Sequence, residues 1–270
     1  MSSLLKLQES VLFKIIYYLN LQELQQLGQS CRQLHGLIYN NPRVWHQHVL
    51  FPAKDSRLTD KFIQQLVPQI TRHYGIQTLR LIQLPLSWLG YLFIFDQFAH
   101  SVDQIQVETT HAVLQDLVYH LTVFAANLTV LQSDNHIPIT FRQYCHDASY
   151  YYQVLVDHRF LGKSNVTDMI ELFDTTGQTL VSKLDDPPFE RLRQWQVVCT
   201  DHNDDDDDDN KKDCLTRLQC IVSFLAGRQV TNNLDPLVTI GQKRTQDQLE
   251  PSSRQRQRLV PPPRASSLYV

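Results

Sequence analysis

The sequence predicts a chain that mixes helices and strands, in the α+β or α/β class. Apolar residues at helical spacing in residues 1–50 predict a small N-terminal unit of three helices. Short alternating runs, each followed by a helical stripe, predict an irregular strand–helix series over residues 76–241. Residues 242–270 combine arginine and proline with few apolar side chains, which predicts a disordered basic tail.

Composition narrows the class of protein before any motif is considered. The 270 residues suffice for one small domain plus one sizeable core, and a net charge of -3 gives no general case for nucleic acid or membrane partners. Five cysteines without a CxxC pair predict free thiols in a reducing compartment. The apolar stretch Leu84–Phe95 is too short to span a bilayer. We therefore expect a cytoplasmic or nuclear protein.

Two amphipathic stripes define the N-terminal unit. The first consists of residues at helical spacing, namely Val11, Leu12, Ile15, Ile16 and Leu19. The second consists of Leu24, Leu27, Cys31 and Leu34, and Asn40-Asn41-Pro42 ends it because proline cannot continue a helix. Roughly forty residues cannot bury both stripes internally, so such a unit commonly packs against a partner.

The same residues resemble an F-box, at fixed spacing and without insertion. The matching positions are Leu7, Val11-Leu12, Ile15-Ile16, Leu19, Glu23-Leu24, Leu27, Cys31-Arg32 and Leu34, with Trp45 near the end of the pattern. Gln8 and Ser10 stand where the family has proline and glutamate. An ordinary helical hairpin is the alternative interpretation of the pattern.

The resemblance implies a substrate-recruiting adaptor of an SCF-type (cullin-RING) ubiquitin ligase, with catalysis done by other subunits. The F-box would bind the Skp-type linker subunit, and through it the cullin, while the remaining chain holds a substrate protein. The residues matching linker-facing positions are Leu7, Gln8, Val11, Leu12, Ile15, Ile16, Leu19, Leu24 and Leu27. Cys31, Arg32 and Leu34 match packing positions. Two alternatives remain: an F-box scaffold outside any ligase, and a solenoid interaction module that only resembles an F-box.

Residues 51–75 are predicted to form a linker helix. Leu58, Phe62, Leu66 and Ile70 recur at i+4 spacing. Pro68 should kink this helix and Gly75 should end it. The Lys54–Asp60 region is the expected hinge.

A strand–helix unit then recurs at a nearly constant interval. Short strand-like runs occur at 76–81, 102–107, 128–130, 170–172 and 195–197. Leu81 to Val107 spans 26 residues, and Val107 to Val130 spans 23. This spacing resembles that of leucine-rich repeats, in a degenerate form that lacks their asparagine. An ordinary α/β domain with incidental spacing is the alternative.

Stacked repeats would align their strands and place alternate side chains on one open face. The polar residues expected on that face are Thr78, Arg80, Gln104, Gln106, Gln194 and Gln196. We expect this row to hold the substrate; a merely solvated strand face is the alternative. Tyr150–Tyr152 become a second candidate surface if they are exposed.

The remaining segments predict no chemistry of their own. The acidic run within residues 201–213 is expected to be a disordered loop, because adjacent like charges repel. No phosphate-binding loop, nucleophile motif or metal-ligand spacing occurs in the sequence. We therefore expect no catalytic residue, no metal and no cofactor.

Overall fold

A computed structural model of the chain describes residues 6–48, 51–70, 75–133, 139–157, 184, 186–200, 208–228 and 237–240. Over these ranges it combines helices with a four-stranded parallel sheet, which confirms the predicted mixture of helix and strand. The predicted strand at 170–172 and the tail 242–270 lie outside the described residues.

Four short helices, one more than predicted, form the N-terminal unit: α1 (Glu9–Ile16), α2 (Leu21–Ser30), α3 (Arg32–Tyr39) and α4 (Pro42–His48). A capping box starts α2. The Glu23 backbone N–H donates to Asn20 Oδ1 at 2.9 Å, and the Asn20 N–H donates to Glu23 Oε2 at 2.8 Å. These two bonds satisfy backbone donors that a helix start otherwise leaves unpaired.

The linker helix is shorter than predicted. Helix α5 spans Asp60–Leu66 and continues as a 3-10 turn over Val67–Gln69, because a proline in the second position of that turn interrupts α-helical bonding. The predicted helix over all of 51–75 is therefore wrong. Within the expected hinge, Lys54 N–H donates to Ile82 O at 3.0 Å and Leu58 is fully buried; whether this region acts as a hinge stays a prediction.

The strands β1 (Thr78–Ile82), β2 (Gln104–Thr109), β3 (Gln194–Cys199) and β4 (Val238–Ile240) lie side by side in chain order. All neighbouring pairs are parallel. Helix α6 (Trp88–Phe98) connects β1 to β2. Helices α7 (His111–Ser133), α8 (Phe141–His146) and α9 (Ala148–Asp157) lie between β2 and β3, and α10 (Asp208–Leu225) precedes β4.

Two local predictions fail where a helix replaces another structure. Residues 128–130, predicted as a strand, belong to α7, where the buried Asn127 donates to the carbonyl four residues earlier. The acidic segment 201–213 is not a loop throughout, because α10 begins at Asp208. Aspartates favour a helix start through the helix dipole, and the ion pair of Asp213 with Arg217 at 2.7 Å supports the next turn.

One face of the sheet forms the centre of the core. Alternate side chains of the strands point to this face, and each is at most 1% exposed: Leu79, Leu81, Ile105, Val107 and Trp195. The Trp195 ring meets the Phe95 ring of α6 edge-on at 5.4 Å. Buried residues of the N-terminal unit belong to the same cluster. In the described part of the chain, every helix is too short or too polar to cross a membrane.

Candidate interaction surfaces

Helix α1 exposes apolar side chains along one side. Val11 and Ile15, four residues apart, share a side of the helix, and Leu7 precedes them by one further turn. Leu7 is 40% exposed and Val11 39%, while Ile15 is half-buried. Gln8, at the N-cap, is exposed as well. These four predicted linker-facing residues therefore form one accessible line, which we call the α1 ridge.

The other predicted linker-facing residues lie deeper. Leu12, Ile16 and Leu24 are at most 8% exposed, and Leu19 and Leu27 are half-buried against the core. In this conformation the first three are buried and do not belong to the α1 ridge. The apolar stripe in the sequence contains more residues than the exposed surface does. A helix can bury one part of a broad apolar stripe and expose the rest.

Close aromatic packing joins α2, α3 and α4 of the N-terminal unit. The Tyr39 and Trp45 rings stack at 5.8 Å with an interplanar angle of 18°, and Trp45 Nε1 donates to Ile38 O at 2.7 Å. Burial raises the pKa of Tyr39 to about 12. Gly28 lets α2 approach this pair, because a Cβ there would lie 2.7 Å from Tyr39 Cε2. Of the remaining positions matching the F-box packing pattern, Leu34 is buried.

Two tyrosines extend the apolar surface beyond the predicted residues. Tyr17 is 54% exposed and Tyr18 is 79% exposed, directly after the last turn of α1. Their rings contact each other edge-on at 5.6 Å. Sequence reasoning missed them because they lie outside the apolar stripe. Two consecutive aromatics next to a helix end were the available signal.

The second face of the sheet carries six polar side chains that are exposed or half-buried. Its strands pair in register so that Thr78, Gln104 and Gln194 form one row across the sheet. Arg80, Gln106 and Gln196 form the next row. The first row is exposed and the second half-buried. All six predicted substrate-facing residues therefore lie together on one surface, which we call the polar face.

The polar face is built from hydrogen-bonding side chains. Arg80 Nε donates to Gln106 Oε1 at 3.1 Å, and Gln83 donates to Glu108 on the same side of the sheet. Parallel sheets usually bury both faces beneath helices. An accessible parallel face with ordered amides is therefore a candidate recognition surface.

A third exposed region is aromatic. Tyr150 is 57% exposed, and Tyr119 and Tyr152 are each 37% exposed. Tyr151 between them is half-buried, with its ring 5.9 Å from that of buried Tyr144. Only part of the segment is therefore available to a partner.

Titratable side chains of the described core have pKa values shifted by burial. Among the described residues, no group of three or more His, Cys, Asp or Glu side chains could hold a metal ion. Burial raises the pKa of the Cys145 thiol to about 12 and lowers the pKa of His120 to about 4. Such a thiol stays protonated at neutral pH and is a poor nucleophile. His120 instead stacks on Trp88 at 3.5 Å and shares a hydrogen bond with Tyr144 Oη at 2.8 Å.

Comparisons with known proteins give no match to this chain among family models, curated proteins or solved structures. The residues and their geometry are therefore the basis for any functional conclusion.

Proposed function

We propose that this chain is a substrate-recruiting adaptor of an SCF-type ubiquitin ligase. Its N-terminal unit would bind the Skp-type linker subunit, and the strand–helix region, as a degenerate leucine-rich-repeat-like solenoid, would bind the protein to be modified. The role needs no catalytic group in this chain. It supplies effective concentration and orientation to an enzyme carried by other subunits.

The observation that supports this proposal best is the α1 ridge. Leu7 and Val11 remain exposed although Leu12 and Ile16 on the same segment reach the core. Burying an apolar side chain such as leucine stabilises a complex by about 1.5–3 kcal/mol. A helical unit that matches the F-box spacing and leaves an apolar ridge uncovered fits a partner that covers it.

The polar face supports the second half of the proposal. It lies on the sheet and presents side-chain amides and the Arg80 guanidinium to a partner. The α1 ridge, in contrast, presents mainly apolar side chains. An adaptor requires two such surfaces that can be occupied together. The chemical difference between them suits two different partners.

Calorimetric titration of the intact chain with a purified Skp-type linker subunit tests the proposal. Val11→Asp should weaken binding at least about tenfold, because an unpaired carboxylate would be buried in an apolar contact. Tyr150→Asp, which places the same charge on an exposed side chain of α9, is the matched control and should bind normally. Equal affinity of wild type and Val11→Asp, or no binding by the wild type, would refute linker recruitment through the α1 ridge.

A further inference from the structure

Strand β1 forms one edge of the sheet, and half of its backbone groups point away from its neighbour. In a parallel pair, alternate residues of a strand bond to the adjacent strand. Gln104 N–H donates to Gln77 O at 2.9 Å, and Gln83 N–H donates to Glu108 O at 2.8 Å. The odd-numbered residues of β1 therefore bond to β2. The backbone N–H and C=O groups of the even-numbered residues Thr78, Arg80 and Ile82 face outward.

Only one end of this edge is covered within the described part of the chain. Lys54 N–H donates to Ile82 O at 3.0 Å, with Lys54 in the left-handed region at φ 60°. No described residue bonds to the outward N–H or C=O of Thr78 or Arg80. Thr78 is exposed and Arg80 is half-buried. An unpaired edge of this kind is a template for another extended chain.

The charges beside the edge select the kind of chain that it accepts. Arg80 lies on β1 itself, and Lys54 lies directly beyond the open part of the edge. Gln106 holds Arg80 Nε at 3.1 Å, so the terminal nitrogens of the guanidinium remain for a ligand. Glu108 is one strand further in and is engaged by Gln83. Asp55, next to Lys54, is paired with Arg57, and Asp103 lies on the β2 side of the strand start. Arg80 and Lys54 are therefore the charges available to an added strand, and opposite charges on adjacent strands stabilise pairing.

We propose that the edge of β1 binds an extended acidic segment of a partner protein as an added strand. The partner's backbone would pair with the outward groups of Thr78 and Arg80. Its alternate side chains would extend the polar face, with a carboxylate beside Arg80. The intervening side chains would point to the side of Leu79 and Leu81 and should be apolar. This site goes beyond the adaptor role and does not require linker binding.

The test uses the intact chain and a labelled synthetic peptide of alternating valine and glutamate. Fluorescence anisotropy should detect binding, and the same peptide with N-methyl groups on alternate residues should bind at least about tenfold more weakly, since it lacks the pairing donors. Thr78→Pro removes one outward N–H and leaves the β1–β2 bonds intact, because proline is tolerated at the start of an edge strand. Thr78→Pro should weaken peptide binding about tenfold. Arg80→Gln should weaken it by a smaller factor.

Amide hydrogen exchange identifies what occupies the edge. Exchange at the Thr78 and Arg80 amides should be fast in the free chain and slow with the peptide bound. Equal affinity for the methylated peptide, or unchanged exchange with bound peptide, would overturn the proposal. Slow exchange in the free chain would mean that the edge is already occupied. If Thr78→Pro then dissociates a dimer and makes exchange at the Arg80 amide fast, the occupant is a second copy of the chain. Slow exchange that is lost when Asp204–Asp207 are replaced by asparagine would assign it to the chain's own acidic run.

Discussion

The N-terminal unit and the sheet region share one core but present opposite surfaces. Leu24 and Ile38 of the first and Leu79 and Trp195 of the second belong to a single buried cluster. Outside that cluster, α1 exposes hydrocarbon, whereas the sheet exposes amides and a guanidinium. The difference shows that one buried cluster can support an apolar surface and a polar surface. Changes in the core should therefore affect both regions, and changes at either surface should affect one.

The largest effect is expected from the side chain at the centre of the shared core. Phe95 is 1% exposed and its ring meets those of Phe141, Phe189 and Trp195. Phe95→Ala should lower the free energy of unfolding by about 3–5 kcal/mol through lost burial and a cavity. Urea unfolding followed by circular dichroism should show one transition, and Tyr150→Ala should change little. Two separated transitions in Phe95→Ala would contradict a shared core.

A smaller effect should be confined to the N-terminal unit. Gly28→Ala places a methyl group 2.7 Å from the buried Tyr39 ring, and the cost of overpacking exceeds the gain in helix propensity. We expect a loss of about 1–2 kcal/mol in the same unfolding experiment. Gly36→Ala in the adjacent helix is the matched control, since nothing lies within 4 Å of its added Cβ. It should stabilise the chain by up to about 1 kcal/mol, and similar losses in both variants would rule out the Tyr39 contact as the cause.

The stability of the chain should depend on pH through His120, which packs beside the sheet region in α7. Burial lowers the pKa of His120 from its ordinary 6.5 to about 4, so the unfolded chain binds a proton between these values and the folded chain does not. Stability is therefore lost as the pH falls from about 6.5 towards 4. After allowance for partial exposure of the ring, the loss should be about 1–2 kcal/mol. His120→Gln should show a shallower decline between about pH 6.5 and 4.5, and an equal decline would contradict this assignment.

The smallest effect is expected where the sequence departs from the F-box pattern. Gln8 has φ -62° and ψ 144°, which proline can adopt without strain. Gln8→Pro should stabilise the chain by about 0.4–1 kcal/mol and modestly tighten linker binding, because it reduces the freedom lost on ordering. Calorimetry with the linker subunit measures the second effect. Unchanged or weaker affinity would mean that the segment before α1 is used differently.

The sequence predicted the strands better than the surfaces of the helices. Alternation around Leu81, Val107 and Val197 located three strands, because period 2 leaves little choice of which side chains face inward. The polar face followed from the same alternation. The pattern did not distinguish exposed Val11 from buried Leu12, since an apolar stripe does not reveal which part a neighbouring helix covers. It also placed a strand at 128–130, where the long helix α7 continues instead.

The edge of β1 could not have been predicted from composition or period. Its open groups depend on which strand lies at the end of the sheet and on the bond from Lys54 to Ile82, and both are long-range features. The capping box at Asn20 and Glu23, by contrast, is a local feature that depends on two residues three positions apart.

Affinity capture with two surface variants tests the central claim that the two surfaces act separately. One variant is Val11→Asp, and the other combines alanine at Arg80, Gln104 and Gln196. Both should keep an unfolding midpoint close to that of the wild type, because none of the four side chains belongs to the buried core. We predict that Val11→Asp loses the Skp-type linker and keeps the other captured proteins, and that the alanine variant shows the reverse. Loss of both classes of partner in one folded variant, or retention of both in the two variants, would contradict the account.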